Sequence, residues 1–126
     1  MNKNFPDLGL LILRIGFASL MLTHGIPKIN SLFESSIKFA DPIGLGETTS
    51  LILALIGEVV APLLILIGFK TKLAAIPAVI TMFVAAFVIH ANDPLNVKEK
   101  ALLFLFGFLV LLFTGAGKYS VDGFKK

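Results

Sequence analysis

Residues 51–69, LILALIGEVVAPLLILIGF, form an apolar run that contains a single ionisable side chain, Glu58, near its middle. About 18 consecutive apolar residues are enough to cross a hydrocarbon core about 30 Å thick. A carboxylate at that depth costs several kcal/mol unless it is paired, protonated or hydrated. The run therefore predicts a transmembrane helix with a buried carboxyl group, and the rest of the chain is interpreted as the surroundings of Glu58.

The composition favours a membrane protein. Of the 126 residues, 56% are hydrophobic and 15% are charged, whereas soluble domains are about 45–50% apolar and about 25% charged. We interpret residues 1–126 as one domain. The absence of cysteine excludes disulfides, thiol catalysis and cysteine-ligated zinc or iron–sulfur centres. The small net charge of +3 arises from basic residues between the apolar runs, which indicates topology signals and not a nucleic-acid surface.

Four apolar runs predict an all-α, integral membrane four-helix bundle with up-down-up-down topology. The predicted helices cover residues of about 8–26, 49–68, 73–90 and 99–114. Pro27 is expected to end the first helix, and Pro62 is expected to kink the second. The first run has no small-residue cleavage site, so we interpret it as a retained helix and not as a signal peptide.

The connection 28–50 is the only long one. Its apolar residues recur at roughly helical spacing, which fits a short amphipathic helix at the membrane surface, and an ordinary loop fits equally well. With four spans both termini lie on one side, together with six lysines, against four lysines on the other side. The positive-inside rule then predicts both termini in the cytoplasm.

Arg14 is the predicted partner of Glu58. Arg14 lies about three residues from the centre of the first helix, and a rise of about 1.5 Å per residue puts the two side chains at levels that differ by roughly 6 Å. Arginine can bind a carboxylate through two parallel hydrogen bonds. We expect a buried Arg14–Glu58 ion pair, which either locks two helices together or lines a pocket.

Two histidines are expected near the outer ends of their helices, His24 on the first and His90 on the third. With Lys28 and Asp93 they predict an outer polar cluster that continues inward to Glu58 as a polar column. Histidines bonded only to loop carbonyls are an equally simple interpretation. Axial haem ligation and a metal site are weaker alternatives, because both histidines lie at helix ends.

Several motifs in this order resemble the DoxX family of small four-helix membrane proteins. They are Arg14 and Gly16 followed by His-Gly-Ile-Pro-Lys at 24–28, then Glu58 with Gly68, and the ending Gly-Ala-Gly-Lys-Tyr-Ser-Val-Asp at 115–122. The chain departs from many relatives after Glu58, where Val-Val-Ala-Pro replaces glycines. The resemblance implies a bacterial cytoplasmic membrane protein linked to membrane oxidoreductases, including thiosulfate:quinone oxidoreductase, and to responses to quinones or oxidative stress.

Two functions are compatible with the residues. In the first, the chain is a quinone-associated or redox-linked membrane subunit, whose candidate catalytic residues are Arg14, Glu58 and His24. Arg14 would keep Glu58 ionised or donate to a substrate carbonyl, and Glu58 or His24 would move protons. The candidate substrate-binding residues are Lys28, His90 and Phe17.

Without a cofactor motif, electrons would come from a partner protein or a bound quinone. In the second function, the chain is a non-enzymatic carrier of a small solute or a scaffold for partner proteins. The apolar face of the fourth helix suits either lipid or a second copy of the chain.

Overall fold

The computed structural model describes residues 5–34 and 36–124, and it is helical. Helix α1 covers Phe5–Ile29 and continues as a 3₁₀ turn, Asn30–Phe33. Helix α2 covers Glu47–Ile67 with an internal π-helical segment, and helix α3 covers Thr71–Ile89 and ends in a π-helical segment, Ala85–Ile89. Helix α4 covers Leu95–Thr114, and a short helix α5 covers Val121–Phe124. The predicted all-α bundle is confirmed.

Helix α1 does not end before Pro27, so that prediction is wrong. Pro27 lies inside the helix, which continues to Ile29. A proline removes one intrahelical hydrogen bond and crowds the carbonyl four residues earlier, but here it falls in the last turn, where little helix remains to be disrupted. As a consequence, Lys28 is held on the helix and not in the loop.

The periodic residues behind the predicted surface helix continue α1 as far as the 3₁₀ turn Asn30–Phe33, and the described segment 36–46 after them is a loop. Asp41 organises this loop. Its carboxylate accepts hydrogen bonds from Leu45 N at 2.9 Å, Gly46 N at 3.0 Å and Ser50 Oγ at 3.0 Å. Gly44 and Gly46 have φ values of 75° and 97°, which favour glycine and interrupt a helix.

Helix α2 widens into a π-helical turn at Ile56–Val60, one turn before the buried Pro62. Pro62 has no N–H, so the pattern of backbone hydrogen bonds in the helix must change there. Turns of π-helix inside α-helices occur often at functional sites. This turn presents Glu58, and its backbone lies against α1. A Cβ atom at Gly25 would overlap the backbone oxygen of Glu58, so only glycine allows the two helices to approach this closely.

The core is built from small and large apolar side chains that alternate between helices. Its fully buried members come from all four long helices, for example Ala18, Ile65, Ala78 and Phe108. Many large apolar side chains lie instead on the outside of the bundle, as lipid-facing residues do.

Among the described residues, three helices are long and apolar enough to cross a membrane: Phe5–Phe33 with its 3₁₀ turn, Glu47–Ile67 and Thr71–Ile89. Helix α4 is outside this set because Lys98, Glu99 and Lys100 lie in its first two turns.

Candidate functional site

The partner of Glu58 is Lys28. Lys28 Nζ lies 2.7 Å from one carboxylate oxygen of Glu58 and 2.9 Å from the other. The Glu58 side chain is 6% exposed, and the Lys28 side chain is 35% exposed. The pair joins the last turn of α1 to the π turn of α2, and the lysine supplies the charge compensation that a buried carboxylate requires.

The predicted Arg14–Glu58 ion pair is wrong. The Arg14 side chain is 1% exposed, and it points to the opposite end of the bundle. There it donates from Nε to the Ile65 carbonyl at 3.0 Å and from one terminal nitrogen to the Leu66 carbonyl at 3.0 Å. The other terminal nitrogen donates to the carbonyls of Ala116 at 3.2 Å and Tyr119 at 2.8 Å.

Helix geometry explains why Arg14 binds there. The last four carbonyls of a helix lack the usual partner four residues later, and Ile65 and Leu66 lie in the last turn of α2, which the αL residue Gly68 ends. A guanidinium with five donors can satisfy these carbonyls and those of the C-terminal turn together. The Arg14 side chain therefore fastens α1, α2 and the chain end to each other.

Asp122 completes this end of the bundle. Its carboxylate accepts hydrogen bonds from Lys70 N at 2.7 Å and Thr71 N at 2.9 Å, which are the first amides of α3. Asp7 similarly accepts a hydrogen bond from Lys118 N at 3.0 Å. We call Arg14, Asp122 and the segment 115–122 the Arg14 clasp. The Arg14 motif near the start of the sequence and the motif at 115–122 near its end thus meet in one structural unit.

At the other end of the bundle, a cavity of about 450 Å³ lies between α2, α3 and the loop 39–43. We call it the α2–α3 cavity. Lys28, Glu58 and His90 supply its ionisable groups. Most of its remaining wall is apolar and comes from these residues: Phe39, Ala40, Pro42, Ile43, Leu53, Ala54, Ile56, Pro77, Ile80, Met82, Val84, Ala85 and Ile89. A largely apolar wall with a few convergent polar groups is typical of small-molecule sites.

A second cavity of about 250 Å³, which we call the α1–α4 cavity, lies on the other side of the ion pair. Its ionisable lining residues are His24, Lys28, Glu58, His90 and Lys100. His24, Lys28 and His90 therefore line one cavity with Glu58, whereas the sequence analysis placed them in an outer cluster that continues inward to Glu58.

Asp93 lies outside both cavities. It contacts His90, with 2.8 Å between the carboxylate oxygen and Nδ1. Among the described residues, no three His, Cys, Asp or Glu side chains are grouped so as to hold a metal ion.

Phe17 packs among aromatic side chains, and it lines a separate cleft of about 340 Å³ with Leu20, His24, Lys100, Leu103 and Phe104. Its ring packs edge-on against Phe104 at 5.8 Å and Phe108 at 6.3 Å between centroids. A Cβ atom at Gly107 would overlap the Phe17 ring, so this glycine makes room for it. Phe17 lines neither cavity that contains Glu58.

Sequence reasoning missed most wall residues of these cavities, among them Phe39, Met82 and Lys100. Phe39 lies in the loop that was predicted to be a helix or a linker, and Lys28 Nζ lies 5.9 Å from its ring centroid. Lys100 was interpreted only as a topology signal. Lys100 directly precedes the apolar part of α4, and this position could have indicated that it lies at the level of His24.

These features define a class of protein: a small helical membrane protein in which a lysine neutralises a buried glutamate beside a cavity. The family profile of DoxX matches residues 9–91. The chain belongs to the DoxX family, and the sequence resemblance is confirmed.

The chain is 32% identical to "Inner membrane protein YqjF" of Escherichia coli K12, over 95% of this chain and 94% of that protein. It is 31% identical to each of two uncharacterised proteins of Haemophilus influenzae. The first match covers 90% of this chain and 80% of the relative, and the second covers 93% and 92%. No solved structure matches.

Proposed function

We propose that this chain is a bacterial inner-membrane protein that binds a quinone-like ring in the α2–α3 cavity and acts as a redox-linked membrane subunit. The observation that carries the proposal is the Lys28–Glu58 pair at the wall of a mostly apolar cavity. In the proposed orientation both termini are cytoplasmic, and the end that carries His90 faces outward.

The residues of the cavity fit such a ring. A volume of about 450 Å³ lies within the range of about 300–1,000 Å³ that is usual for small-molecule sites. Lys28 supplies ammonium donors for a carbonyl oxygen, and Glu58 supplies an acceptor for a hydroxyl group. Phe39, Pro42 and Ile43 cover one side of the cavity from the loop. A bound quinone would supply the electron-carrying chemistry that the side chains lack.

Each charged residue then has a distinct function. Lys28 orients the ring and holds Glu58 in place, since its Nζ contacts both carboxylate oxygens. Glu58 accepts or releases a proton at Oε1 or Oε2, and His90 and His24 are the neighbouring groups able to exchange it. Arg14 is assigned a structural function, because its donors are used by four backbone carbonyls. Electrons would pass to or from a partner protein.

A small-solute carrier is the alternative, favoured by one further observation. A cleft of about 730 Å³ lies at the Arg14 end of the bundle and is lined by Lys70, Lys72 and Lys118. A carrier needs openings at both ends, and these two cavities lie at opposite ends. The buried side chains of Met21, Ile65 and Phe108 occupy the space within the bundle, so a carrier would have to repack its core.

Binding of a short-chain, water-soluble benzoquinone to the full chain in lipid nanodiscs tests the proposal. Ala54 lines the α2–α3 cavity, so Ala54→Trp should fill it and abolish saturable binding. Ile52 is 46% exposed on the same helix and does not line the cavity, so Ile52→Trp is the matched control and should bind as the natural chain does. Absence of saturable binding to the natural chain, or equal binding by both variants, would contradict the proposal.

Glu58→Gln separates the functions further. A redox-linked subunit or a carrier should lose activity while it stays folded, because the amide cannot accept and release a proton at neutral pH. A scaffold should keep its partner proteins in this variant, which co-purification under mild extraction would reveal.

A further inference from the structure

The two cavities on either side of the Lys28–Glu58 pair are built from different helices. The α2–α3 cavity takes its walls from those two helices and from the loop 39–43, with Lys28 as its contribution from α1. The α1–α4 cavity takes its walls from α1, α3 and α4, with Glu58 as its contribution from α2. The residues common to both cavities are Lys28, Glu58, Met82, Ala85 and His90. The ion pair and the Met82 side chain therefore lie at the boundary between the two cavities.

The outer surfaces of the two cavities also differ in chemistry. Several wall residues of the α2–α3 cavity are themselves exposed on the lipid-facing surface, among them Leu53, Ile56 and Ile80. An opening between such residues leads sideways into the hydrocarbon. The α1–α4 cavity is lined by Val97 and Lys100, which do not line the α2–α3 cavity and which lie in the first turns of α4, after the polar turn 91–94. An opening there leads to water at the end of the bundle.

We infer that the Lys28–Glu58 pair separates a lipid-entered ligand chamber, the α2–α3 cavity, from a water-entered chamber, the α1–α4 cavity, through which Glu58 exchanges its proton. The inference rests on the proposed function for the identity of the ligand, but the two routes of access follow from the walls themselves. A hydrophobic ring would then enter from the bilayer, and water would reach the opposite side of the same carboxylate.

The charged groups around Glu58 support this separation. Lys28 and His24 face the α1–α4 cavity from α1, His90 faces it from α3, and Lys100 faces it from α4. These four side chains can hold water by hydrogen bonding along the cavity. In the α2–α3 cavity, Glu58, Lys28 and His90 lie at the shared boundary, and the wall beyond them is apolar apart from the hydroxyls of Ser50 and Thr81. The Thr81 hydroxyl donates to the Pro77 carbonyl at 2.7 Å, and the Ser50 hydroxyl donates to Asp41 at 3.0 Å. Both hydroxyl hydrogens are therefore already used within the protein.

The absence of cysteine from the chain allows a direct test with single cysteines. Ala101 lines only the α1–α4 cavity, and Ala54 lines only the α2–α3 cavity. Each alanine is replaced by cysteine in the full chain, reconstituted in nanodiscs so that both membrane faces are open to reagent. Labelling rates are measured by mass spectrometry with a hydrophilic, sulfonated thiosulfonate and with lipophilic N-phenylmaleimide. Ile12→Cys, at a position 64% exposed on the lipid-facing surface of α1, is the lipid control.

We expect Ala101→Cys to react with both reagents, and Ala54→Cys to match Ile12→Cys by reacting only with the maleimide. In the double variant Lys28→Ala/Ala54→Cys the two cavities should be joined. The cysteine at position 54 should then react with the sulfonated reagent at a rate closer to that of Ala101→Cys. Equal rates at positions 54 and 101 with the sulfonated reagent would overturn the inference, as would maleimide-only labelling of Ala101→Cys. If the Lys28 variant does not fold, the two single-cysteine rates still decide the question.

The labelling measures access of water and not binding of a quinone. Failure of the inference is therefore distinguishable from failure of the proposed function, which is measured by binding to Ala54→Trp and Ile52→Trp.

Discussion

Removal of Lys28 should destabilise the protein more than removal of the charge on Glu58. Lys28→Met leaves a carboxylate that is 6% exposed without a cation, whereas Glu58→Gln leaves an ammonium group on a side chain that is 35% exposed. The ammonium group can be hydrated, whereas the buried carboxylate is left without a compensating charge. The two substitutions break the same ion pair, so the difference between their losses of unfolding free energy measures how differently the two charges are buried.

The size of the effect follows from the burial of the charge that remains. Breaking a buried ion pair by removing one partner costs about 3–5 kcal/mol, and we expect about 3 kcal/mol for Lys28→Met because the lysine side of the pair is partly exposed. For Glu58→Gln we expect about 1 kcal/mol, because the remaining charge is partly exposed.

Equilibrium unfolding by SDS in mixed micelles, followed by circular dichroism at pH 7, measures these differences. The double variant Lys28→Met/Glu58→Gln completes the cycle and should be more stable than Lys28→Met alone, because no buried charge remains. Equal losses of unfolding free energy in the two single variants, or a double variant no more stable than Lys28→Met alone, would refute the argument.

Three further substitutions test the rest of the architecture by the same unfolding measurement. Arg14→Lys should lower the unfolding free energy by about 2–4 kcal/mol, since a lysine cannot donate to carbonyls on both sides of the Arg14 clasp. A loss below about 1 kcal/mol, the value of one ordinary hydrogen bond, would contradict the clasp. Gly25→Ala should lower the unfolding free energy by about 1–3 kcal/mol, because the added carbon overlaps the Glu58 backbone. Gly16→Ala, with no atom within 4 Å of the added carbon, should be neutral or stabilising by about 0.5–1 kcal/mol. Equal effects of the two substitutions would contradict the close approach of α1 and α2 at Gly25. Asp122→Ala should cost about 0.5–2 kcal/mol through loss of the cap on α3, and no change would show that Lys70 N and Thr71 N find other acceptors.

The sequence was sufficient to predict the bundle, because the apolar runs and their polar connections leave few other arrangements. It also placed His24, Lys28 and His90 in one cluster on the outer side of Glu58, since helices that run in the same direction bring their outer ends to one level. The ion pair could not be assigned by depth alone. Arg14 and Lys28 both lie on α1 within reach of α2, and the choice depends on which acceptors each finds.

Arg14 was predicted as the partner of Glu58 from its depth along the first helix, and the expected helix end at residue 26 left Lys28 in the outer cluster. The structure keeps Lys28 on the last turn of α1, opposite the π turn, and directs Arg14 to the carbonyls of Ile65 and Leu66 at the end of α2. A π turn has no simple sequence signal. The loop 39–43, which covers the cavity, is likewise shaped by Asp41 contacts that hydrophobic periodicity does not reveal.

Photolabelling with a short-chain azidoquinone tests the central claim that the ligand site is the α2–α3 cavity beside Lys28 and Glu58. The full chain is irradiated in nanodiscs, with and without excess unlabelled quinone, and the modified residues are located by mass spectrometry. The account predicts adducts that unlabelled quinone suppresses, confined to the cavity walls at 53–56 and 80–85. Suppressible adducts around Phe17 and Leu103, or adducts that excess quinone does not reduce, would contradict it.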